Sequence, residues 1–328
     1  MRLDGLDAAA IDRAADAIAA GDLVAFPTET VYGLGARADS DAAVAKIFAA
    51  KGRPADHPLI VHVADRAHAE RFVAAMPPLA ERLIDAFWPG PLTVIVLRAA
   101  GVADAAAAGA PTIGLRCPAH PVAHSLLARA AERAVPGIAA PSANRFGRIS
   151  ATTAAHVVDE FADTAGLLVL DGGAARIGIE SAIVDCSTGS PVLLRPGILT
   201  RDRIETAAGA PLRSAGPEAP RAPGTLASHY APKAKLRVME TGMLKAALQV
   251  LGGDSLKLAV YSRSIPSGVA PGVVHRRMPA RPEQAAHELF SILRELDGEG
   301  VHLIWVEEPP PGAEWDGVRD RLSRAAAT

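Results

Sequence analysis

The chain has 328 residues, enough for two domains that each bury a core of their own. Hydrophobic residues make up 49% of the sequence and aromatic residues only 4%, so these cores must consist largely of aliphatic side chains. Charged residues total 21% and the net charge is −2. This balance disfavours a protein whose main affinity comes from neutralising nucleic-acid phosphates, while a local basic pocket for a nucleotide stays possible.

The positions of the cysteines and the lengths of the apolar segments exclude further classes of protein. Cys117 and Cys186 are far apart and neither belongs to a CxxC pair, which disfavours a zinc ribbon or a disulfide framework and fits a reducing compartment. Residues 1–21 contain several aspartates and lack the apolar stretch of a signal peptide. The longest apolar runs have the length of strands. We therefore expect a cytoplasmic protein that does not contact membranes.

Two helices are predicted near the N-terminus. The first lies within residues 1–21 and ends at Gly21. The second begins after Ser40, a good N-cap residue, and ends at Gly52, with an apolar stripe along one side.

Short apolar runs predict the strands of a mixed sheet. Because helix-like and strand-like segments alternate along the first two-thirds of the chain, we expect an α/β (α+β) domain over residues 1–206, in which helices flank a twisted mixed sheet. The predicted strands are residues 23–26, 58–63, 92–97, 112–116, 138–140, 167–170, 182–185 and 192–195.

The composition changes between residues 207 and 235. Several prolines lie there among alanine, serine and glycine without apolar periodicity, which predicts a partly extended linker. Beyond it, residues 236–328 are predicted to form a smaller, Rossmann-like domain with an open parallel sheet. Its predicted elements are strands at residues 236–239, 256–261 and 301–306, and a helix at residues 282–296.

One glycine motif is a decoy. Residues 33–38 match the loose dinucleotide-binding pattern GxGxxA, which needs its first glycine directly after a strand and a helix starting at its end. The predicted strand ends too early, at Phe26, and the next helix starts too late, after Ser40. The sequence also lacks a GxxxxGK[ST] loop, so any ATP site must be of another type.

The loop of residues 27–35 is dense in hydroxyl groups and glycines. It contains Thr28, Glu29, Thr30 and Tyr32. It is either an ordinary connection or a loop that lines a ligand, and the number of polar side chains favours the ligand.

Lysine and arginine follow the second predicted helix directly. Lys51 and Arg53 either complement the helix dipole at the surface or form a two-cation clamp for a triphosphate, with lysine as point charge and arginine as bidentate fork. His62 lies on the Ile60 side of its strand, where a histidine is more often a satisfied core residue than a catalyst.

Two arginines end apolar strands. Because a half-buried guanidinium needs an anionic partner, Arg116 must meet either a substrate carboxylate or an internal aspartate or glutamate, and the sequence leaves these two alternatives even. Arg195 poses the same question. The segment after the strand at 138–140 offers Ser142 and Asn144, which either bind phosphate or form a simple turn.

In combination, these segments resemble the YrdC-like domain of the threonylcarbamoyl-AMP synthases. The matching stretches, in the family's order, are FPTETVYGLG at 26–35, KGRP at 51–54, PLIVH at 58–62, WPGPLT at 88–93, GLRCP at 114–118, APSAN at 140–144, SAIVD at 181–185 and LRPG at 194–197. The segments SHYAPK at 228–233 and DRLSR at 320–324 resemble the linker and the ending of the two-domain form. Phe146 departs from the pattern, since the family usually has a serine there.

The resemblance implies a nucleotidyltransferase that converts L-threonine, bicarbonate and ATP into threonylcarbamoyl-AMP and pyrophosphate for tRNA threonylcarbamoyladenosine synthesis. It implies that Mg²⁺ enters with ATP, held chiefly by the nucleotide and not by a protein metal site. The product would pass to a downstream tRNA threonylcarbamoyl transferase complex, so that tRNA is involved only indirectly.

The resemblance also assigns residues to the substrates. Lys51 and Arg53 would be catalytic, and Tyr230 would reach back from the linker to close the nucleotide pocket. The implied ATP contacts are Lys51, Arg53, Thr112, Ser142, Asn144, Ser150, Arg195 and Tyr230. The implied threonine contacts are Thr30, His62, Arg116 and Ser181.

Two alternatives compete with this hypothesis. Carbamoyl-adenylate-forming modules of hydrogenase-maturation carbamoyltransferases resemble the same domain, but they carry CxxC zinc motifs that this sequence lacks. A non-catalytic RNA-binding protein with a YrdC-like domain is the alternative from another class, and the net charge of −2 together with the low aromatic content disfavours it.

Overall fold

The computed structural model describes residues 1–216, 218–251, 257–266 and 272–327. They form two compact units. The first unit comprises Met1–Phe146 with Ser150–Thr225, and the second comprises Gly147–Ile149 with Leu226–Thr328. The boundaries proposed from the sequence, at residues 206 and 235, stay predictions.

A mixed sheet forms the centre of the first unit, as the sequence predicts. The strand order is β1-β8-β2-β3-β7-β4-β6-β5-β9-β10-β11, with parallel and antiparallel pairs along it. The strands are β1 (Arg2–Asp4), β2 (Val24–Phe26), β3 (Gly33–Arg37), β4 (Ile60–His62), β5 (Leu92–Leu97), β6 (Thr112–Arg116), β7 (Ile138–Ala139), β8 (Leu168–Asp171), β9 (Ala182–Asp185), β10 (Val192–Arg195) and β11 (Arg213–Ser214).

Helices flank this sheet. The second helix begins and ends at the predicted capping residues. Ser40 Oγ accepts a hydrogen bond from Ala43 N–H at 3.3 Å, and Gly52 ends the helix with a φ of +61°. The helices of the first unit are α1 (Ala8–Ala19), α2 (Asp41–Lys51), α3 (Arg66–Glu70), α4 (Pro78–Phe87), α5 (Pro121–Glu132), α6 (Ala154–Glu160) and α7 (Arg201–Ala208).

The alternation of side chains along the central strands gives the sheet a core on each face. Val61, Val94 and Leu115 join the larger core on one face. On the opposite face, α1 and α5 cover β2 and β8 through a second core. A small apolar cluster on that face consists of Ile60, Ile95, Ile183, Leu194 and Ala222.

The rejected dinucleotide motif overlaps a strand that the sequence does not predict, since the predicted loop includes residues 33–35. Gly33–Arg37 forms β3 and pairs antiparallel with β2. A Cβ atom at Gly35 would lie 2.7 Å from side-chain atoms of both Phe26 and Ile138. This glycine therefore allows close packing beside the sheet and is not part of a phosphate-binding turn.

The second unit is a parallel sheet with helices, as predicted. Its strands follow the order β12-β15-β13-β14 and every pair is parallel. Its elements are β12 (Lys235–Met239), α8 (Thr241–Val250), β13 (Leu258–Ser262), β14 (Val274–Arg277), α9 (Pro282–Gly298), β15 (Leu303–Glu307), a 3₁₀ turn (Ala313–Trp315) and α10 (Asp316–Ala326). Residue 256, the predicted start of β13, lies outside the described residues. Across the part of the chain that the structure describes, none of the helices has the length and apolar character to cross a membrane.

Candidate functional site

Strand pairing in the first unit brings two predicted site residues together. β4 and β6 are parallel, and their register places His62 beside Arg116 on the face that also carries Ile60. Both side chains belong to buried residues. A buried imidazole and a buried guanidinium therefore lie side by side at the ends of two central strands.

His62 is a neutral group with unused hydrogen-bonding capacity. Its ring meets the ring of Phe26 edge to face, with 6.0 Å between the centroids. Burial, and then the charge of Arg116, lower the pKa of His62 from 6.5 to about 3. Its buried Nδ1 has no hydrogen-bond partner within the described residues. His62 is thus not the satisfied core histidine that is the commoner case for a strand histidine.

The lowered pKa predicts a pH-dependent stability. Because the unfolded chain takes up a proton at His62 below pH 6.5 and the folded chain does not until about pH 3, this site costs stability as the pH falls between those values. At pH 5 the cost is about 2 kcal/mol. We expect the free energy of unfolding of His62→Gln to fall less than that of the unsubstituted protein between pH 7 and pH 5, by about this amount.

Denaturant unfolding at a series of pH values measures this difference. His124→Gln is the matched control, since His124 is exposed on α5. Equal pH slopes for His62→Gln and the unsubstituted protein would contradict the prediction.

Arg116 has an internal partner. Of the two anions that the sequence leaves open, a substrate carboxylate and an internal aspartate or glutamate, the structure shows the internal one. Its Nη2 donates to Glu29 Oε1 at 2.7 Å, and its Nε donates to Gly90 O at 3.2 Å. Gly90 lies two residues after Trp88, whose indole Nε1 donates to Leu92 O at 2.8 Å. The Nη1 group of Arg116 makes no hydrogen bond to any residue that the structure describes. The internal ion pair therefore leaves donors for a second anion.

A hydroxyl and guanidinium cluster lies across the neighbouring strands. Thr93 directly precedes Val94, the residue of β5 that pairs with Leu115 of β6, so it lies across from Arg116. The Oγ atoms of Thr93 and Ser181 are 2.8 Å apart. Arg195 donates from Nη2 to Ser181 Oγ at 3.2 Å and from Nε to Ser181 O at 3.1 Å.

The two predicted clamp residues lie at the end of α2 and are both buried. Lys51 Nζ donates to Ser142 O at 2.6 Å and also to Asn144 O. Burial, and then the charge of Arg53, lower the pKa of Lys51 well below its usual value. Arg53 Nη2 donates to Pro58 O at 3.1 Å, and its guanidinium lies 5.7 Å from the ring centroid of Phe146. Phe146 thus places an aromatic ring beside the predicted clamp.

The loop that contains Thr30 connects these groups. Ala143 N donates to Tyr32 O at 2.8 Å, which ties the loop to the segment with Ser142 and Asn144. Gly178 N donates to Thr30 O at 3.1 Å, which ties it to the segment before Ser181. Within that second segment, Glu180 accepts a hydrogen bond from Ser150 Oγ.

Two predicted ATP residues lie in other parts of the structure than the residues described above. Thr112 begins β6 and Arg116 ends it, so that about 13 Å of strand separate them. Tyr230 belongs to the second unit, where it is buried with a φ of +63°. Its ring lies 5.3 Å from that of Phe290, and the guanidinium of Arg321 lies 5.5 Å from it. Whether Tyr230 closes the nucleotide pocket stays a prediction.

Sequence reasoning missed three partners of the predicted site residues. Glu29 pairs with Arg116, Glu180 with Ser150, and Thr93 with Ser181. Glu29 and Thr93 lie inside the matching motifs, so a search for a carboxylate near Arg116 within those motifs had a signal for Glu29. Nothing in the sequence pattern pointed to Glu180.

The carboxylates around the clamp bear on the expected Mg²⁺. Within the described ranges, no group of three or more histidine, cysteine, aspartate or glutamate side chains is arranged to hold a metal ion. The predicted ATP residues are cationic or neutral, and the carboxylate of Glu180 contacts one of them, Ser150. Such a donor set fits a magnesium ion that is held mainly by nucleotide phosphates.

Comparisons with known proteins cover both units. Residues 16–197 match the family model described as Telomere recombination, of the Sua5, YciO and YrdC proteins, and residues 199–327 match the model described as Threonylcarbamoyl-AMP synthase, C-terminal domain. The threonylcarbamoyl-AMP synthase of Bacillus subtilis is 38% identical over 326 residues, which cover 96% of this chain and 92% of that protein. The threonylcarbamoyl-AMP synthase of Pyrococcus abyssi is 38% identical over 328 residues, with 95% and 93% covered.

A solved structure agrees with these sequence relationships. The chain is similar to P. abyssi Sua5 complexed with L-threonine, with a TM-score of 0.89 and 36% identity, over 99% of this chain and 96% of that one. The fold class and the family that the sequence predicts are therefore confirmed. The chain belongs to the family of threonylcarbamoyl-AMP synthases in their two-domain form.

Proposed function

We propose that the first unit condenses L-threonine, bicarbonate and ATP into threonylcarbamoyl-AMP and pyrophosphate. Membership of the family makes the chain an enzyme that uses ATP to form threonylcarbamoyl-AMP, an intermediate of tRNA threonylcarbamoyladenosine synthesis. The observation that carries the threonine site is the pairing of Arg116, which keeps free donors, with a neutral His62 beside it. An amino acid offers the carboxylate and the polar groups that such a pair binds.

The chemistry begins at the amine of threonine. Starting from the ammonium form, reaction with bicarbonate gives the carbamate anion of N-carboxythreonine and releases water and one proton. The new carboxylate then attacks the α-phosphorus of ATP, forming an oxygen–phosphorus bond while the bond to pyrophosphate breaks. No covalent bond to the enzyme is needed, so the protein acts by positioning the reactants and by stabilising charge.

The buried cations of the first unit supply the stabilisation. Lys51 and Arg53 are proposed to neutralise the phosphate oxygens, and Arg195 to bind the nucleotide together with Ser142, Asn144 and Ser150. Thr112 is proposed as a further ATP contact. In the same proposal, Thr30 and Ser181 bind threonine beside Arg116 and His62. Mg²⁺, when bound, would be held chiefly by the nucleotide and would neutralise part of the phosphate charge.

ATP binding is expected to be accompanied by proton uptake. Burial and Arg53 lower the pKa of Lys51, and arriving phosphate charges raise that pKa again, so we expect the lysine to take up protons when ATP binds at alkaline pH. Calorimetry at pH 8.5 in buffers of different ionisation enthalpy is expected to show uptake of up to about one proton per ATP in excess of that seen with Lys51→Met. The affinity for ATP should therefore fall as the pH rises.

A surface lysine provides the control for this measurement. Lys46→Met removes a partly exposed lysine, on the same helix, that pairs with Asp22, and it should leave proton uptake unchanged. Equal uptake by Lys51→Met and the unsubstituted protein would show that Lys51 stays charged without ATP.

One incubation tests the proposed function directly. The purified protein is supplied with ATP, bicarbonate and Mg²⁺, with and without L-threonine, while pyrophosphate is quantified and the adenylate is identified by mass spectrometry. Threonine-dependent pyrophosphate together with the mass of threonylcarbamoyl-AMP supports the reaction. Failure to turn over or to bind ATP and threonine, combined with salt-dependent affinity for RNA, would favour the RNA-binding alternative.

Further parts of the proposal follow from the chemistry of the product. A mixed anhydride of a carbamate with AMP is a reactive acyl donor, which fits transfer to a downstream tRNA threonylcarbamoyl transferase complex. This enzyme would then act on tRNA only indirectly. A cytoplasmic location and the involvement of Mg²⁺ stay predictions.

A further inference from the structure

We propose that Glu29 is a positioning residue that orients Arg116 to receive the carboxylate of threonine. The inference rests on the proposed function and deepens it, because it assigns a role to a residue outside the predicted substrate contacts. It starts from the ion pair between two buried residues, in which Glu29 Oε1 and Arg116 Nη2 are 2.7 Å apart.

Glu29 is itself fixed from several directions. Its second oxygen, Oε2, accepts a hydrogen bond from Ala119 N–H at 3.1 Å, just beyond the end of β6. Its backbone carbonyl accepts one from Ile177 N–H at 2.7 Å. The carboxylate therefore links the loop of residues 27–35 to the segment that follows Arg116, and its position does not depend on a flexible side chain alone.

This arrangement determines which hydrogen-bond donors of Arg116 remain available to a ligand. Glu29 takes a hydrogen bond from Nη2 and Gly90 O takes one from Nε, so the planar guanidinium is held along two directions. Nη1 makes no hydrogen bond within the described part of the chain, and it is free to donate to a carboxylate. A fixed guanidinium loses less conformational freedom on binding than a mobile one, which strengthens binding.

A purely structural role explains the pair poorly. Removing two charges from water costs about as much as their mutual attraction returns, so buried ion pairs add little net stability compared with apolar residues. A pair that keeps donors open beside a neutral histidine is better explained by what it binds. Glu29 also balances the charge of Arg116 while threonine is absent.

The test is a steady-state comparison of Glu29→Gln with the unsubstituted enzyme. Glutamine keeps the shape but loses the charge, and its single carbonyl oxygen cannot serve both Arg116 and Ala119 N–H. We expect the KM for L-threonine to rise about 10- to 100-fold, while the KM for ATP changes less than about twofold. The preference for L-threonine over L-threoninamide, which lacks the carboxylate charge, should fall by a similar factor.

Two further variants separate positioning from a general effect on folding. If Glu29 acts through Arg116, the double variant Glu29→Gln/Arg116→Ala should be no worse than Arg116→Ala alone. Glu29→Asp retains the charge and shortens the reach, so it should show a smaller rise in the KM for threonine with an unchanged KM for ATP. This variant also serves as the test if Glu29→Gln does not fold.

The matched control is Glu81→Gln, which removes a carboxylate from a partly exposed ion pair with Arg66 in the same unit. It should leave both KM values unchanged. The inference is overturned if Glu29→Gln leaves the KM for threonine unchanged, if both KM values rise equally, or if its effect adds fully to that of Arg116→Ala. If the unsubstituted protein forms no adenylate, the proposed function itself fails, which is a different result.

Discussion

Replacing Arg53 by alanine is expected to lower threonine-dependent pyrophosphate release by at least about 100-fold. The guanidinium is buried at the end of α2, near Lys51, and is aligned by a hydrogen bond to Pro58 O and by the ring of Phe146. A cation that is fixed before the reaction stabilises developing phosphate charge without reorganisation, and its loss is therefore costly. Rapid quantification of pyrophosphate at saturating L-threonine measures the effect.

Arg53→Lys and Arg66→Ala are the comparison variants. Lysine keeps a point charge but cannot form the bidentate fork, so Arg53→Lys should retain part of the activity. Arg66 lies on the surface in ion pairs with Glu70 and Glu81, and its removal should have no effect on turnover. Near-normal product formation by Arg53→Ala would contradict the proposed clamp.

The second large effect is expected at Gly197. An added Cβ atom there would lie 2.5 Å from Ala182 N and 3.0 Å from the carbonyl carbon of Ser181, both backbone atoms that cannot move aside. Gly197→Ala should therefore destabilise the first unit by about 3 kcal/mol. Because the same displacement separates Arg195 from Ser181, activity should fall as well.

Thermal unfolding combined with the pyrophosphate assay checks this prediction. Gly216→Ala is the control, because apart from its chain neighbours no atom of the described residues lies within 4 Å of the position of its added Cβ. A melting temperature for Gly197→Ala equal to that of the control would show that the backbone there relaxes easily.

The core of the fold is predictable from the sequence where burial is complete. The strands at Leu92–Leu97, Thr112–Arg116 and Ala182–Asp185 match the predicted ranges, since central strands buried on both faces give continuous apolar runs. Helix α2 matches because Ser40 and Gly52 cap it.

The edge strands are not predictable from apolar runs. β1 has the sequence RLD and β14 the sequence VHRR; both are largely polar, and among the described strands both lie at the end of their sheet. The segment 1–21 is predicted as a helix only, whereas β1 precedes α1 there. Pairing with β8 at the edge of the sheet determines the structure of Arg2–Asp4, and this pairing is not local in sequence.

The candidate site is also predictable only in part: the residue types are, and their partners are not. The residue types at Lys51, Arg53 and Arg116 predict cationic groups that need anions, and the structure buries all of them in the first unit. The matching motifs contain Glu29, but its pairing with Arg116 does not follow from their spacing, because the two residues are 87 positions apart and the fold brings them together. The state of His62 likewise depends on its neighbour on the adjacent strand.

The turn beside Arg116 also gives the enzyme a spectroscopic reporter. Of the three tryptophans in the sequence, Trp88 belongs to the first unit, while Trp305 and Trp315 belong to the second. Trp88 is two residues from Gly90, whose carbonyl holds the guanidinium of Arg116. In a variant with phenylalanine at the other two positions, indole emission would come from the turn beside Arg116 alone. Ligand binding could then be followed by fluorescence in real time, without a label and without turnover.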